Sequence, residues 1–404
     1  MHAIFNKSIA KGEVVVPPSK SYAHRYLIAS FLSGKKSIIR NISLSEDIKA
    51  TLSCLKELGA SYIYENASIV LEINKEEIIN KDKLTFNCFE SGSTLRFMIP
   101  IALLTGKDLI FYGSEKLLSR GLTPYFKIFD KLNIQYELNE KCLKIKGKLT
   151  AFDFEIEDNI SSQFVSGLLF ALPLLNGDSS IKIPSNMQSI NYIEMTLNVL
   201  KNAGINIDFI DNVFHIKGNQ KYLTNGFVNE GDYSNASFLD AFNYLNGDVK
   251  LLGLNSPSLQ GDKVYKNYFD KLSLGYEKID IGDSIDLGPI LFVFASLFYG
   301  GHFINTKRLR IKESDRIEDL KIELEKINVK FEVLENEVII DNSKVDFKQV
   351  EFSSHNDHRI AMALSVLLSK CSGKLFGIEC VNKSYPTFFE DLIKLGIEVK
   401  LCDW

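Results

Sequence analysis

A pattern recurs six times along this chain of 404 residues: a helix ends at a Leu-Gly-like step, and an alternating strand, a polar turn and a second strand follow. The copies read LKELGASYIYENASIVLEI from Leu55, FDKLNIQYELNEKCLKIKG from Phe129 and LKNAGINIDFIDNVFHIKG from Leu200. They continue as YFDKLSLGYEKIDIG from Tyr268, LEKINVKFEVLENEVIID from Leu324 and LIKLGIEVKLC from Leu392. The helix-end residues Leu58, Leu132, Ala203, Leu272, Ile327 and Leu395 lie at intervals of 74, 71, 69, 55 and 68 residues. Six units of that size account for the whole chain, which is the signature of a repeat architecture. A chain this long exceeds one ordinary core and suggests two domains.

Periodicity says how the layers face. Ile205-Asn206-Ile207-Asp208-Phe209 and Val329-Lys330-Phe331-Glu332-Val333 alternate, which predicts strands with one dry and one wet face. The stretches FVSGLLFALPLL, GPILFVFASLF and RIAMALSVLL are instead apolar nearly all round. A helix of that kind is buried. Sheets outside and helices inside is the packing that satisfies both, with helix starts pointing at a common place. How the repeats group into domains is left open by the repeat itself.

Composition narrows the function classes. The chain is 45% hydrophobic and 24% charged, as globular chains are, and carries a net charge of -4. That balance argues against a surface built throughout for nucleic acid, although a local basic cleft is compatible with it. The six cysteines (Cys54, Cys88, Cys142, Cys371, Cys380 and Cys402) form no CxxC pair, so mostly buried free thiols are expected. The start lacks the apolar core of a signal peptide, and the longest apolar run, Ile290 to Phe298, is far too short to span a bilayer. A cytoplasmic location is expected.

The buried helices should begin with bland caps, yet several begin with dense polar groups. Pro18-Ser19-Lys20-Ser21-Tyr22-Ala23-His24-Arg25 opens the first, and Ser21 and Arg25, four apart, share a face. Glu90-Ser91-Gly92-Ser93-Thr94-Leu95-Arg96 and Ser161-Ser162-Gln163 open two more. Lys312-Glu313-Ser314-Asp315-Arg316 and His355-Asn356-Asp357-His358-Arg359 open another two. Helix starts carry unpaired N–H groups and a positive dipole end, and arginine adds a bidentate fork for phosphate or carboxylate. Taken singly, each cluster is ordinary: Ser161 reads as a plain N-cap, 312–316 as a solvated helix face. His355 and His358 lack further Cys or His neighbours, so no metal site is expected. Together the clusters point to a site for polyanionic small molecules.

The segments PPSKSYAHR, ESGSTLR, SSQFVSGLLFALP, RIKESDR, NDHRIAMAL and NKSYPTFF occur in this order from Lys20 to Phe389. In them the chain resembles the EPSP synthase (3-phosphoshikimate 1-carboxyvinyltransferase) family over nearly its whole length. The resemblance implies a two-domain inside-out α/β barrel of six βαβαββ-type repeats, three per domain. It implies one domain of residues 1–17 plus 230–404, a second of 18–229, and an active site in the cleft between them. It also implies roles. Lys20, Ser21 and Arg25 match the motif that touches both substrates. Ser161, Ser162, Gln163, Ser189, Tyr192, Asp286 and Lys312 match contacts to shikimate 3-phosphate. Lys20, Gly92, Arg96, Arg120, Gln163, Arg316, Arg359 and Lys383 match the phosphoenolpyruvate side. Asp286 and Glu313 match the groups assigned to proton transfer, with Lys20, His358 and Lys383 where assisting groups sit.

The implied chemistry suits these residue types. Both substrates carry a phosphate and a carboxylate, so several cations are needed. The methylene carbon of phosphoenolpyruvate must gain a proton, and the attacking 5-hydroxyl must lose one. The tetrahedral adduct then loses phosphate and a methyl proton, steps that carboxylates serve as base and acid. No metal or organic cofactor is implied, and the partners expected are the two small molecules, with no nucleic acid or membrane, for a chain acting as a monomer. Two departures stand out. The family's Arg-Pro step reads Arg120-Gly121 here, and Arg308 stands where many relatives place Asn, so an outward charge is as good a reading of Arg308 as a substrate contact. Competing readings are a UDP-N-acetylglucosamine enolpyruvyl transferase and a non-catalytic anion-binding repeat protein. The former typically carries a Cys before its Arg-Pro step, and the segment GSEKLLSR (113–120) has none. In Ile281-Gly282-Asp283-Ser284-Ile285-Asp286, local grounds alone favour Asp286 as an N-cap, with Asp283 a competitor for the base.

Overall fold

The computed structural model describes residues 1–74, 76–156 and 161–403. The chain divides into two compact units: Pro18–Glu230, and Met1–Pro17 together with the chain from Gly231 on.

In the unit Pro18–Glu230 the described strands form three four-stranded sheets. One shows the plan. Lys83–Asn87 runs parallel to Asp108–Tyr112, with the helix Gly92–Leu103 as the crossover, and Cys142–Lys146 and Gln135–Leu138 then add antiparallel. Parallel neighbours need such a crossover and antiparallel ones only a turn, so βαβαββ follows from the chain order. Asp153–Glu155 and Ser179–Lys182 repeat it around the helix Gln163–Ala171. In the third sheet the opening strand, Gly226–Val228, is supplied by the far end of the unit and lies parallel to Ser37–Arg40.

The other unit holds two four-stranded sheets and one two-stranded sheet among the described residues. The N-terminal strand His2–Phe5 lies between Gly373–Phe376 and Val399–Cys402, antiparallel to both. Here the repeat departs from expectation. The copy from Tyr268 has no hairpin: Lys278–Asp280 is already the first parallel strand of the next sheet. Segment 275–282 has no left-handed polar turn comparable to Asp211-Asn212 (φ 50° and 62°), which closes the hairpin Ile207–Ile210/Val213–Ile216. The interval of 55 residues from Leu272 to Ile327 is short by about one hairpin.

The layers face as periodicity requires. The helices Gly92–Leu103, Gln163–Ala171, Gly288–Leu297 and His358–Cys371 are buried almost all round. Strands such as Lys83–Asn87 alternate exposed and buried. Ile207–Ile210 alternates less cleanly than expected, because it is an edge strand: Phe209 is exposed and stacks on its cross-strand neighbour Phe214 at 4.2 Å. Gly167 permits a close approach between the helices Gly92–Leu103 and Gln163–Ala171. A Cβ there would lie 2.4 Å from Tyr125 Oη and 2.5 Å from Arg96 O, so the position takes only glycine. Five cysteines are buried free thiols and Cys402 is partly exposed. Among the described residues no helix is long and apolar enough to cross a membrane.

Candidate functional site

In the unit Pro18–Glu230, three polar helix starts are tied together by their own side chains. Ser19 caps the helix Lys20–Leu32 by accepting from Tyr22 N. Lys20 Nζ meets Asp47 Oδ2 at 2.7 Å. The Asp47 carbonyl accepts from Thr94 Oγ1, whose hydroxyl also meets Ser91 and Thr51, and Thr51 meets His24 Nδ1 at 2.7 Å. Burial, then Lys20 and Arg25, hold His24 well below the usual imidazole range, so it is neutral.

Arg25 is 2% exposed and its hydrogen bonds all go to neutral oxygens. Nε donates to Thr196 Oγ1 (2.9 Å), Nη1 to Ser21 O (2.7 Å) and Nη2 to Tyr192 O (2.8 Å). The guanidinium lies over the Phe97 and Tyr192 rings at 5.2 and 6.0 Å. Burial brings its pKa down to about 10, so it stays charged at neutral pH. Tyr192 stands in the first turn of the helix Ile190–Asn202, entered through Ser189 at φ 57°.

A second group surrounds Gly92. Arg96 Nη1 donates to Gln163 Oε1 (2.7 Å), and Gln163 Nε2 to Ser93 Oγ (2.8 Å). The Tyr125 hydroxyl donates to Arg96 O, and Arg96 stacks over Phe164 at 5.1 Å. A Cβ on Gly92 would lie 3.1 Å from Arg96 Nη1 and 3.2 Å from Arg120 Nη1, so the glycine is where two guanidiniums converge. Gly121 sits at φ 77° with open space around it, a conformation proline cannot adopt. The loss of the Arg-Pro step is therefore a different backbone and not only a freer one. Ser161 Oγ accepts from Gln163 N, and the buried Ser162 stands at the N-cap of the helix Gln163–Ala171.

The other unit gathers carboxylates with its cations. Asp286 lies in the single turn Ile285–Leu287, and the N-cap of the next helix is Leu287, so the capping reading of Asp286 does not hold. Its carboxylate instead meets Lys312 Nζ (3.1 Å), Arg316 Nη1 (3.0 Å) and Arg359 Nη2 (3.3 Å). Burial pushes the Asp286 carboxyl up, but Arg359, Lys312 and Arg316 outweigh it and hold it well below the usual range. Arg316, fully buried, also meets Glu313 Oε2 (2.6 Å) and clasps both oxygens of Asp357 (2.7 and 3.3 Å). Asp357 in turn caps the helix His358–Cys371, accepting from Arg359 N at 2.8 Å. Burial brings the Lys312 pKa down against the pull of Asp286. Lys383 Nζ donates to Asn356 O at 2.6 Å, and His358 is buried in the first turn of its helix.

Arg308 is half-buried and donates to the Gly282 carbonyl, so the outward-charge reading fails. Asp283, the competitor for Asp286, is exposed. Two carboxylates that carry this geometry drew no notice in the motifs: Asp47, in the first turn of Glu46–Glu57, and Asp357, inside the NDHR segment. A third, Asp262, is buried and accepts from Ser234. Burial and then Asp286 push it up to about 6, against Arg359. Among the described residues no three or more His, Cys, Asp or Glu side chains converge as metal ligands would.

The family model of EPSP synthase (3-phosphoshikimate 1-carboxyvinyltransferase) matches residues 6–392. The 3-phosphoshikimate 1-carboxyvinyltransferase of Clostridium acetobutylicum is 43% identical over 417 residues, covering 98% of this chain and 97% of that one. That of Clostridioides difficile is 40% identical, covering 95% of each. Among solved structures, EPSP synthase from Acinetobacter baumannii superposes with a TM-score of 0.77 at 20% identity, covering 99% of each chain. The enolpyruvyl transferase NikO from Streptomyces tendae does so at 0.75 and 13% identity, covering 99% of this chain and 98% of that one. At such identities the structural likeness speaks for the fold.

Proposed function

Because this chain belongs to the EPSP synthase family, we propose that it transfers the enolpyruvyl group of phosphoenolpyruvate to the 5-hydroxyl of shikimate 3-phosphate, releasing phosphate. The reaction belongs to the shikimate pathway, toward chorismate and the aromatic amino acids. The observation that carries this reading is Asp286, a carboxylate ringed by Lys312, Arg316 and Arg359. Cations alone would bind anions; a carboxylate held among them supplies a proton acceptor where anionic reactants meet.

The proposal assigns both clusters to one reaction. Ser21, Arg25, Ser161, Ser162, Gln163, Ser189 and Tyr192 hold shikimate 3-phosphate, with Asp286 and Lys312. Gly92, Arg96, Arg120, Gln163, Arg359 and Lys383 serve phosphoenolpyruvate, and Lys20 serves both. Arg316 donates four of its five N–H groups to three carboxylates, so its first role is to hold them, with one Nη1 hydrogen left for phosphoenolpyruvate. Asp286 is the base for the attacking hydroxyl, Glu313 the partner in proton transfer, and Lys20, His358 and Lys383 assist. In the free protein three cations make Asp286 a weak base. Substrate anions that draw on Lys312 and Arg359 weaken that hold and raise its basicity, so the base strengthens when the reactants are present.

A phosphate-release assay with both substrates tests the reading. Release is expected with shikimate 3-phosphate as acceptor and not with UDP-N-acetylglucosamine. The reverse preference would favour the related transferase, and binding without release a non-catalytic anion binder. The proposal includes a cytoplasmic monomer, which light scattering after size exclusion checks for its second half.

A further inference from the structure

We propose that His355, which the reaction scheme leaves unused, is a positioning residue: as an imidazolium it staples the loop 354–357 to the helix Arg316–Glu325 and so holds Asp357, Arg316 and Arg359 in register. This rests on the function assigned above.

The geometry is two-sided. His355 Nε2 lies 2.7 Å from Glu323 Oε1, and Nδ1 lies 3.3 Å from Asp319 Oδ1. The Glu323 contact is a hydrogen bond and the Asp319 contact an ion-pair approach, and two carboxylates on the two sides of the ring favour its protonated, charged form. Asp319 and Glu323, four apart, share one face of the helix that begins at Arg316. The same loop reaches that helix a second time, through Asp357 on Arg316. Loop and helix are thus fastened at two points, and the second point is the Asp286–Arg316–Asp357 network itself.

The loop needs such a fastening. His355 and Asn356 are consecutive non-glycine residues in the left-handed region, at φ 50° and 57°. That conformation is uphill and persists only where contacts over-determine it. The Asn356 carbonyl exposed by this turn accepts from Lys383, and the Ser354 hydroxyl donates to Gly377 O. His355 anchors the turn from the helix side, one residue position before Asn356 and two before Asp357.

The surroundings favour the charged ring. Glu323 is 1% exposed and also accepts from Lys326 Nζ (2.6 Å) and Ser353 N (2.9 Å). The charged groups facing the imidazole are Asp319 and Glu323, with Lys326 behind Glu323 on the same helix. Asp315 and, on the histidine's own loop, Asp357 act on Asp319, and Lys383 sits on the loop's outer carbonyl. The Glu323 hydrogen bond raises the His355 pKa against burial, with Asp319 adding to it. A raised imidazole pKa contributes stability that is complete below the ordinary value and is lost as pH rises through the folded value.

His355→Gln, neutral at every pH, is the test, with Glu323→Gln as the reciprocal variant. His355→Gln should raise KM for phosphoenolpyruvate by about tenfold while Kd for shikimate 3-phosphate stays within about twofold, because the misplaced groups lie on the phosphoenolpyruvate side. In the parent that KM should rise with pH as the imidazole titrates; in the variant this component should be absent. By NMR the parent's ring should titrate above the ordinary imidazole value and fall toward it in Glu323→Gln. Unchanged KM and pH dependence in a folded His355→Gln protein would overturn the positioning role, even if its melting temperature drops. Should the parent release no phosphate from the two substrates, the assigned reaction is wrong, and the ring titration then decides the clamp: a value at or below the ordinary one refutes it.

Discussion

The two clusters hold their arginines in opposite ways. In the unit Pro18–Glu230, Arg25 is buried against a hydroxyl, two carbonyls and two aromatic faces, and among the described residues it makes no ion pair with a carboxylate. In the other unit Arg316 is buried against Asp286, Glu313 and Asp357. A buried cation with only neutral partners keeps an uncompensated charge, and its lowered pKa records that cost. Under the proposed function it is a seat for an anion that arrives later. A buried cation clasped by carboxylates has its charge answered already, and what it does is fix those carboxylates. On the proposed function, Arg25 is thus placed to bind and Arg316 to hold reactive groups still. Lys20, in the same unit as Arg25, is by contrast paired with Asp47, which suits the assisting role proposed for it.

The largest effect should come from the carboxylate-rich unit. Asp286→Asn keeps the shape and removes the basicity, so turnover should fall by on the order of 10²–10⁴ while binding of shikimate 3-phosphate stays within a few-fold. Asp283→Asn, at an exposed position, should change neither. Steady-state rates with calorimetry on both variants decide it. Near-parental turnover in a folded Asp286→Asn protein sinks the assignment, and a large loss in Asp283→Asn moves the base three residues upstream.

Stability should divide the units in the same way. Arg316→Leu leaves three carboxylates facing a vacated buried site, which costs about 3–5 kcal/mol. Urea unfolding measures this, and a loss below about 1 kcal/mol would show that the network is dispensable. Acid tests the same contrast without a mutation. Asp286 has a depressed pKa in the folded protein, so its contribution is present above the ordinary carboxylate range and lost as pH falls through the folded value. Hydrogen exchange at falling pH should therefore show the carboxylate-rich unit opening first.

Binding effects rank next. Arg25→Ala removes a cation that sits at the carbonyl of Tyr192, and should weaken shikimate 3-phosphate by roughly 10–150-fold, the worth of one charge-assisted hydrogen bond. Arg359→Ala should act mainly on phosphoenolpyruvate. If calorimetry finds both variants binding both ligands like the parent, the division of labour is wrong.

Much of this was legible because it is local. The repeat is written in helix ends, and the clusters in helix starts, so both survive reading along the chain. What escaped was long-range. Asp357 lies inside a segment that reads as a basic helix start, and nothing nearby shows that it clasps an arginine 41 residues away in sequence. Thr196, which accepts from Arg25, and Ser166, which accepts from Thr196, stand within helix interiors where hydroxyls pass as ordinary. Local grounds alone favour a cap at Asp286 because capping is a local role, whereas its three cations come from two later helices and the turn before one of them. The missing hairpin was legible in principle, in the one short interval of 55 residues between Leu272 and Ile327.

The smallest effects should separate two glycines of the unit Pro18–Glu230 that matter for different reasons. At Gly92 the backbone is unexceptional and the space is not: a Cβ would press on Arg96 and Arg120 at 3.1 and 3.2 Å. Both contacts are the far ends of long side chains, so the arginines shift and the fold stays. Gly92→Ala should therefore raise KM for phosphoenolpyruvate several-fold, about 1 kcal/mol, with little change in melting temperature. At Gly121 the space is open and the backbone is the constraint, at φ 77°. Gly121→Ala should cost about 1 kcal/mol of stability through left-handed strain, and Gly121→Asn less, because asparagine tolerates that region. Both added side chains enter open space, so both should leave KM close to parental. If instead Gly121→Ala raises KM as much as Gly92→Ala does, the loop conformation governs where Arg120 sits, and the two glycines act as one device.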